Sequence, residues 1–163
     1  MAGFPTGVSV VTTTAPDGRP WGMTCTSLCS VSLDPPTLLV CLRCGSPTLE
    51  AIRAGGSFSV NLLHDAARVT AELFASGAPD RFDQVVWEHG GVGAGPHLTD
   101  AAHTIADCTV ADDAVVGTHA VVMGHVGRVR ALRAQQPLLY GLRRFASWTQ
   151  AADGSHLFYD FIS

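Results

Sequence analysis

Gly22-Met23-Thr24-Cys25-Thr26-Ser27-Leu28-Cys29-Ser30-Val31-Ser32-Leu33-Asp34-Pro35-Pro36 is the stretch whose reading decides the fold. It reads as an edge of β-structure crowded with small hydroxyl and thiol side chains and ended by two prolines. Upstream, Val8 to Thr14 is β-branched, and Ala15-Pro16-Asp17-Gly18 is turn chemistry, so Trp21 to Cys25 returns as a hairpin partner. Ser27 to Ser32 is a third extended run, and the apolar Thr37 to Leu42 a buried strand. A helix then starts at Ser46-Pro47, with Leu49 and Ile52 inside and Gly55 as its stop. Phe58, Val60 and Leu62 alternate with Ser59 and Asn61, which predicts a strand with one apolar side. Asp65 is the expected cap of a second helix through Phe74, with Val69, Leu73 and Phe74 at helical spacing. Residues 80–100 read as loop, with the glycine-rich 90–95 as a flexible part of it. Beyond it, Thr104 to Val110 is a strand, and Val115 to Leu132 is one bent strand or two, broken by Gly117, Gly124 and Gly127. The sum is a mainly β, antiparallel, Greek-key type chain with two or three short helices. It forms a small closed or partly closed barrel, as a single domain over 1–163.

Composition narrows the function. With 163 residues, 47% hydrophobic and 15% charged, the chain has enough apolar surface for a core, and some of its surface is expected under a partner subunit. A net charge of −4 without a basic run argues against nucleic acid. No apolar run reaches membrane-span length, and the default location is cytoplasmic. All ten basic residues are arginine, which excludes Schiff-base lysine chemistry and a P-loop. GxSxG and HExxH are absent, and the 90–95 glycines meet Pro96 where a dinucleotide fingerprint needs glycine. Cys41-Leu42-Arg43-Cys44 is formally CxxC. It is either a redox dithiol or half a metal site, or two small residues ending an apolar strand; without a second pair the latter is preferred.

Two segments carry chemistry. Arg43, Ser46, Pro47 and Thr48 have the parts of a phosphate site, with helix-start amides, two hydroxyls and one cation. The same residues are also an ordinary helix start. A flavin is apolar on its faces and carries donors and acceptors along one edge, which backbone amides and small hydroxyls read where large side chains would block it. Thr24, Cys25, Thr26, Ser27, Ser30 and Ser32 meet that requirement, as would a polar barrel edge without a ligand.

At this point the chain resembles the flavin reductase-like family of FMN-binding split barrels, specifically the reductase components of two-component flavin monooxygenases. The resemblance runs through Phe4 to Thr13, Gly22 to Ser27 with Ser30-Val31-Ser32 and Pro35-Pro36, and Phe58 to Leu63. It continues through Asp80-Arg81-Phe82, Gly117-Thr118-His119, Pro137 to Tyr140 and Arg143-Arg144-Phe145. It implies hydride transfer from NADH or NADPH to FMN or FAD, with no catalytic side chain and no metal, because the cofactor carries the chemistry. Reduced flavin then diffuses to a partner monooxygenase, and the reductase is a homodimer. Thr24 to Ser27 and Ser30 to Ser32, Val31 included, are expected along the ring and ribityl chain. Arg43, Ser46, Pro47 and Thr48 are expected by the phosphate, and Asn61 and Leu62 by the ribityl or phosphate region. Arg81 and Phe82 are expected to close over the flavin, and His119, Arg144 and Phe145 to contact the nicotinamide nucleotide.

The sequence departs from the family at three places. Thr118 replaces an aspartate before His119, Phe145 stands where tyrosine is common, and three residues replace the usual helix ahead of Phe4. The last departure reads as a shortened chain or a start inside the gene product. Two other readings of the barrel remain open: a flavin-binding module without catalysis, and an oxidase related to pyridoxamine-phosphate oxidases. NADH is the mild expectation over NADPH, and FMN and FAD are not separated.

Overall fold

The computed structural model describes residues 2–133 and 135–152; the remainder of the expected domain lies outside that description. In chain order the elements are β1 (Thr6–Gly7), β2 (Ser9–Thr14), β3 (Pro20–Cys25), β4 (Cys29–Leu33), β5 (Pro36–Arg43), α1 (Pro47–Gly55) and β6 (Ser57–Leu63). There follow α2 (Arg68–Ser76), β7 (Ala102–Val116), β8 (His119–Ala131), β9 (Leu139–Gly141), β10 (Arg144–Ala146) and α3 (Trp148–Ala152). Seven strands form one antiparallel sheet in the order β3-β2-β6-β7-β8-β5-β4, and a small sheet has the order β1-β9-β10.

The expected hairpin of β2 and β3 pairs from Ser9 opposite Cys25 to Thr14 opposite Pro20, turning at Gly18 with φ +84°. The two outermost strands of the large sheet, β3 and β4, are separated in sequence only by Thr26, Ser27 and Leu28. A sheet whose edges are joined by three residues must curl until those edges meet, which is how a barrel form arises here. One core fills the interior, with Val11, Val40, Leu42, Phe58, Val60, Cys108 and Val122 from the strands and Leu49 and Ile52 from α1. A second core packs α2 and the loop residues Phe82 and Leu98 against Val8, Val10 and Leu138.

Helix α1 starts as its sequence dictates. Ser46 is extended at the N-cap and its Oγ accepts from the Leu49 amide at 3.3 Å. The stop falls one residue later than expected, because Gly56 and not Gly55 takes the left-handed cap, with φ +69°. Helix α2 corrects the reading more. Asp65 does not cap it; its backbone amide donates to Gln136 O, and the N-cap is Ala67, with no side-chain cap. The buried face therefore runs through Ala67, Ala71 and Phe74, leaving Val69 exposed.

The last third is one long hairpin. Gly117 is the turn between β7 and β8, and Gly127 is the extra residue of a bulge, since Asp107 pairs with Arg128 and Cys108 with Val126; Gly124 stays in register opposite Val110 because Phe58 occupies the space of a side chain there: a Cβ would lie 2.6 Å from Phe58 Cζ. The glycine-rich loop is not loose where it ends. Gly95 lies against β2, where a Cβ would fall 2.3 Å from Thr12 O. Thr12 Oγ1 donates to Pro96 O at 2.6 Å, and the Leu98 amide donates to Asn61 Oδ1 at 2.8 Å. This docking covers the face of β6 expected to be open, so Ser59 and Asn61 are as buried as Phe58 and Val60.

Candidate cofactor site

Strands β5 and β8 pair in the sheet and present two faces. Val40 and Leu42 point into the core and Leu39, Cys41 and Arg43 to the other face; across the ladder, Ala120 and Val122 are buried while His119, Val121 and Met123 lie on the outer face. Ser27, in the segment joining the two edge strands β3 and β4, is bound to β5. Its Oγ donates to Cys41 O at 3.1 Å and accepts from the Cys41 amide at 3.0 Å, stapling the β3–β4 connection onto β5.

The predicted ring-binding residues divide into supports and walls. Thr24 Oγ1 donates to Ala71 O at 2.6 Å, holding β3 to α2. Cys25 is buried with its sulfur 3.1 Å from Ser27 Oγ, and burial pushes its thiol pKa up, so it is a packing residue. Ser30, Val31 and Ser32 lie on the open edge strand β4, where the register shifts between Ser30 and Ser32 and leaves Val31 as a bulge. Ser32 Oγ bonds locally to the Asp34 backbone. Thr26 lines a cavity of about 520 Å³ together with Thr24, Glu72, Ala75, Ser76, Tyr140 and Phe145. The contribution of α2 to this wall was not foreseen, because a helical period does not say which partner covers a face. Tyr140 was legible as part of the Pro137 to Tyr140 segment. Glu72, the carboxylate of the cavity wall, is held by Arg68 Nε at 2.8 Å.

The first turn of α1 suits a phosphate. Thr48 is 2% exposed, yet its hydroxyl makes no hydrogen bond among the described residues. The Thr48 amide likewise has no partner there, since Pro47 precedes it and the cap takes the next amide. Such donors at a helix N-terminus match the chemistry of an anionic oxygen. Arg43 is exposed at the end of β5, opposite His119 in register.

Four predicted ligands are supports in this structure. Asn61 is fully buried, with Nδ2 donating to Val10 O and Thr12 Oγ1 and Oδ1 accepting from Leu98, so no polar atom is left to face a ribityl chain. Leu62, half-buried, packs on the main core. Arg81 and Phe82 do not form a lid. Arg81 Nε donates to Gly22 O at 3.0 Å and its Nη1 to Ala78 O at 2.7 Å, under the ring-binding segment. Phe82 packs edge-on against Phe74, beside Gly22. The predicted nucleotide residues separate: Phe145 lines the cavity with Thr24 and Thr26, Arg144 precedes it on β10, and His119 lies with Arg43.

An antiparallel sheet with a hydroxyl-rich edge, a cavity beside it and a helix start suited to phosphate is the arrangement of the flavin-binding split-barrel fold. The chain belongs to the flavin reductase-like domain family, whose model matches residues 1–149. It is 53% identical over 149 residues to a flavin reductase (NADPH) of Lentzea aerocolonigenes, covering 91% of this chain and 86% of that protein. Among solved structures it resembles nitrilotriacetate monooxygenase component B from Mycobacterium thermoresistibile, with 34% identity, a TM-score of 0.82 and coverage of 90% and 81% of the two chains. It also resembles the Streptomyces globisporus NADH:FAD oxidoreductase SgcE6, solved with NAD and FAD fragments, with 31% identity, a TM-score of 0.82 and coverage of 89% and 86%.

Proposed function

We propose that this protein is an NAD(P)H-dependent flavin reductase that reduces FMN or FAD and supplies reduced flavin to a separate monooxygenase. The observation that carries the reading is the cavity between Thr24, Thr26, Tyr140 and Phe145, in which the carboxylate of the wall is already paired with an arginine. A site that binds and orients, without a free acid–base pair, fits a reaction whose chemistry belongs to the cofactor. Bound flavin supplies the ring that accepts hydride from the nicotinamide.

The chain's own residues position the two molecules. Thr26 and the backbone of β4 face the ring, Ser27 holds the ring-side edge to β5, and Thr48 and Arg43 take the phosphate. Arg81 braces β3 from beneath at Gly22. Phe145 and Tyr140, with ring centroids 5.1 Å apart, give the nicotinamide an aromatic wall, with Arg144 beside them. The NADPH reductase at 53% identity favours NADPH over the NADH expected from sequence. The monooxygenase component among the structural relatives supports a partner oxygenase. A homodimer fits the exposed Leu33, Val115, Val116 and Val129 on the strand ends, and a cytoplasmic location fits the absence of a long apolar helix among the described residues.

The test is anaerobic mixing of protein, free FMN or FAD, and NADH or NADPH, following the visible absorbance of oxidised flavin. Catalysed bleaching supports the proposal. Flavin binding without bleaching by either nucleotide would leave a non-catalytic flavin module in its place.

A further inference from the structure

The cavity walled by Tyr140 and Phe145 has a neighbour on the other side of Phe145. That ring also lines a second cavity of about 400 Å³, bounded by Asp65 and Arg68 at the start of α2, by Leu138, and by Ser147 and Gln150 at the start of α3. The Arg68–Glu72 ion pair spans the two, because Glu72 lines the first cavity and Arg68 the second. The Arg68 guanidinium lies over the Phe145 ring, 5.8 Å from its centroid. A dinucleotide seated with its nicotinamide in the first cavity reaches well past one aromatic ring, which brings its adenosine half to the second.

The polar groups of the second cavity are mostly donors without acceptors. Arg68 uses only Nε on Glu72, at 2.8 Å, and its two terminal nitrogens have no hydrogen-bond partner among the described residues. The pair is exposed on both sides, so it holds the arginine weakly and leaves its fork open to a ligand. Ser147 Oγ accepts from the Gln150 amide at 3.2 Å, and Gln150 Oε1 accepts from the Ser147 amide at 2.9 Å. That reciprocal pair occupies acceptors and leaves the Ser147 hydroxyl proton and the Gln150 side-chain NH2 to donate. Asp65 is the carboxylate of this wall. Its backbone amide is held by Gln136 O, and its side chain makes no hydrogen bond among the described residues.

We propose that this second cavity receives the adenosine 2′-phosphate of NADPH and that Arg68 is the residue that selects NADPH over NADH, an assignment that rests on the flavin reductase reading. A guanidinium fork matches two phosphate oxygens at once, with Ser147 and Gln150 placed to donate to the same group. The 2′-hydroxyl of NADH offers neither the charge nor the acceptors, and selectivity is the difference between the two. Asp65 suits the donors that adenosine itself brings, the ribose 3′-hydroxyl or the adenine amine. A carboxylate alone would favour the hydroxyls of NADH. Here three donor groups, one of them a cation, face a single carboxylate, and that balance favours a phosphate.

The experiment measures kcat/KM for NADPH and for NADH at saturating FMN with the full chain, for wild type, Arg68→Gln and Arg68→Lys. Calorimetric titration with 2′,5′-ADP and with 5′-AMP, which differ only in the 2′-phosphate, reads the same contact without catalysis. Wild type is expected to prefer NADPH over NADH, and 2′,5′-ADP over 5′-AMP, by about tenfold or more. Arg68→Gln should cut both preferences about tenfold, as loss of a charge-assisted contact implies. Arg68→Lys, which keeps the charge and loses the fork, should retain part of each. If Arg68 only holds Glu72 in place, its loss lowers kcat/KM for both nucleotides together and leaves the preference for 2′,5′-ADP intact, which overturns the proposal. A wild type that prefers NADH also overturns it and assigns Asp65 to the ribose hydroxyls, with the reductase reading intact. No reduction of flavin by either nucleotide overturns both.

Discussion

Replacing Thr48 with valine removes one hydroxyl and keeps the shape of a residue that is 2% exposed. The structure separates two consequences that usually travel together. Among the described residues this hydroxyl bonds to nothing, so its loss should leave the unfolding free energy unchanged or raise it by up to about 1 kcal/mol. Toward a phosphate it is a hydrogen bond to a charged group, worth about 1.5–3 kcal/mol, or roughly 10- to 100-fold in Kd. The neighbouring cap behaves differently. Ser46→Ala frees the Leu49 amide and should cost about 1 kcal/mol of stability as well as weakening flavin binding by about 1–2 kcal/mol. Urea denaturation of the unliganded variants, with FMN titration followed by flavin fluorescence, measures both quantities. A Thr48→Val protein that is destabilised like the cap variant yet binds FMN as wild type does would refute the phosphate assignment of the first turn.

Asp107 accepts from Ser59 Oγ at 2.6 Å, His97 Nε2 at 2.7 Å and Arg128 Nε at 2.7 Å. Burial alone would raise its pKa, but these bonds outweigh burial and hold it below the usual carboxylate value. The stability it contributes is therefore complete above the unfolded pKa and disappears as pH falls through the lower folded one. Asp107→Asn should cost about 2 kcal/mol near neutrality, allowing for the solvent screening of Arg128, and should flatten the acid limb of a pH series of urea melts; an unchanged acid limb would contradict this. Arg81→Met should destabilise by about 1–3 kcal/mol, because the Gly22 and Ala78 carbonyls lose their donor. A lid residue would instead lose flavin affinity with no change in the melt. Burial raises the thiols of Cys25 and of Cys108, the latter to about 12, so iodoacetamide followed by mass spectrometry should modify exposed Cys29 first and spare both until unfolding.

What was legible in the sequence was local. The β2–β3 hairpin follows from β-branched runs around Pro16-Asp17-Gly18, and α1 from Ser46-Pro47, and both stand within a residue or two of expectation. What was not legible depends on distant chain segments. Ser59 and Asn61 read as an outward face, and nothing near them announces that a loop some 35 residues on would dock there through Gly95 and Pro96. Arg81-Phe82 were expected to close over the flavin because Asp80-Arg81-Phe82 matches a family loop; the Arg81 guanidinium instead donates to the carbonyls of β3 and of the turn after α2. One signal was available: Asp107 is the only charged residue in the run Thr104 to Val110, where a carboxylate among mostly apolar neighbours marks a buried, paired charge. The candidate site was found as segments, while the pairing of Arg43 with His119 needed the register of β5 and β8.

The reductase activity is tested most directly by nicotinamide oxidation that depends on added flavin. In air, purified protein with NADH or NADPH should consume the nucleotide, measured by its near-ultraviolet absorbance, only when catalytic amounts of FMN or FAD are present, and the rate should saturate with flavin. Nucleotide consumption that is absent with both flavins and both nucleotides, or that proceeds equally without flavin, would contradict it.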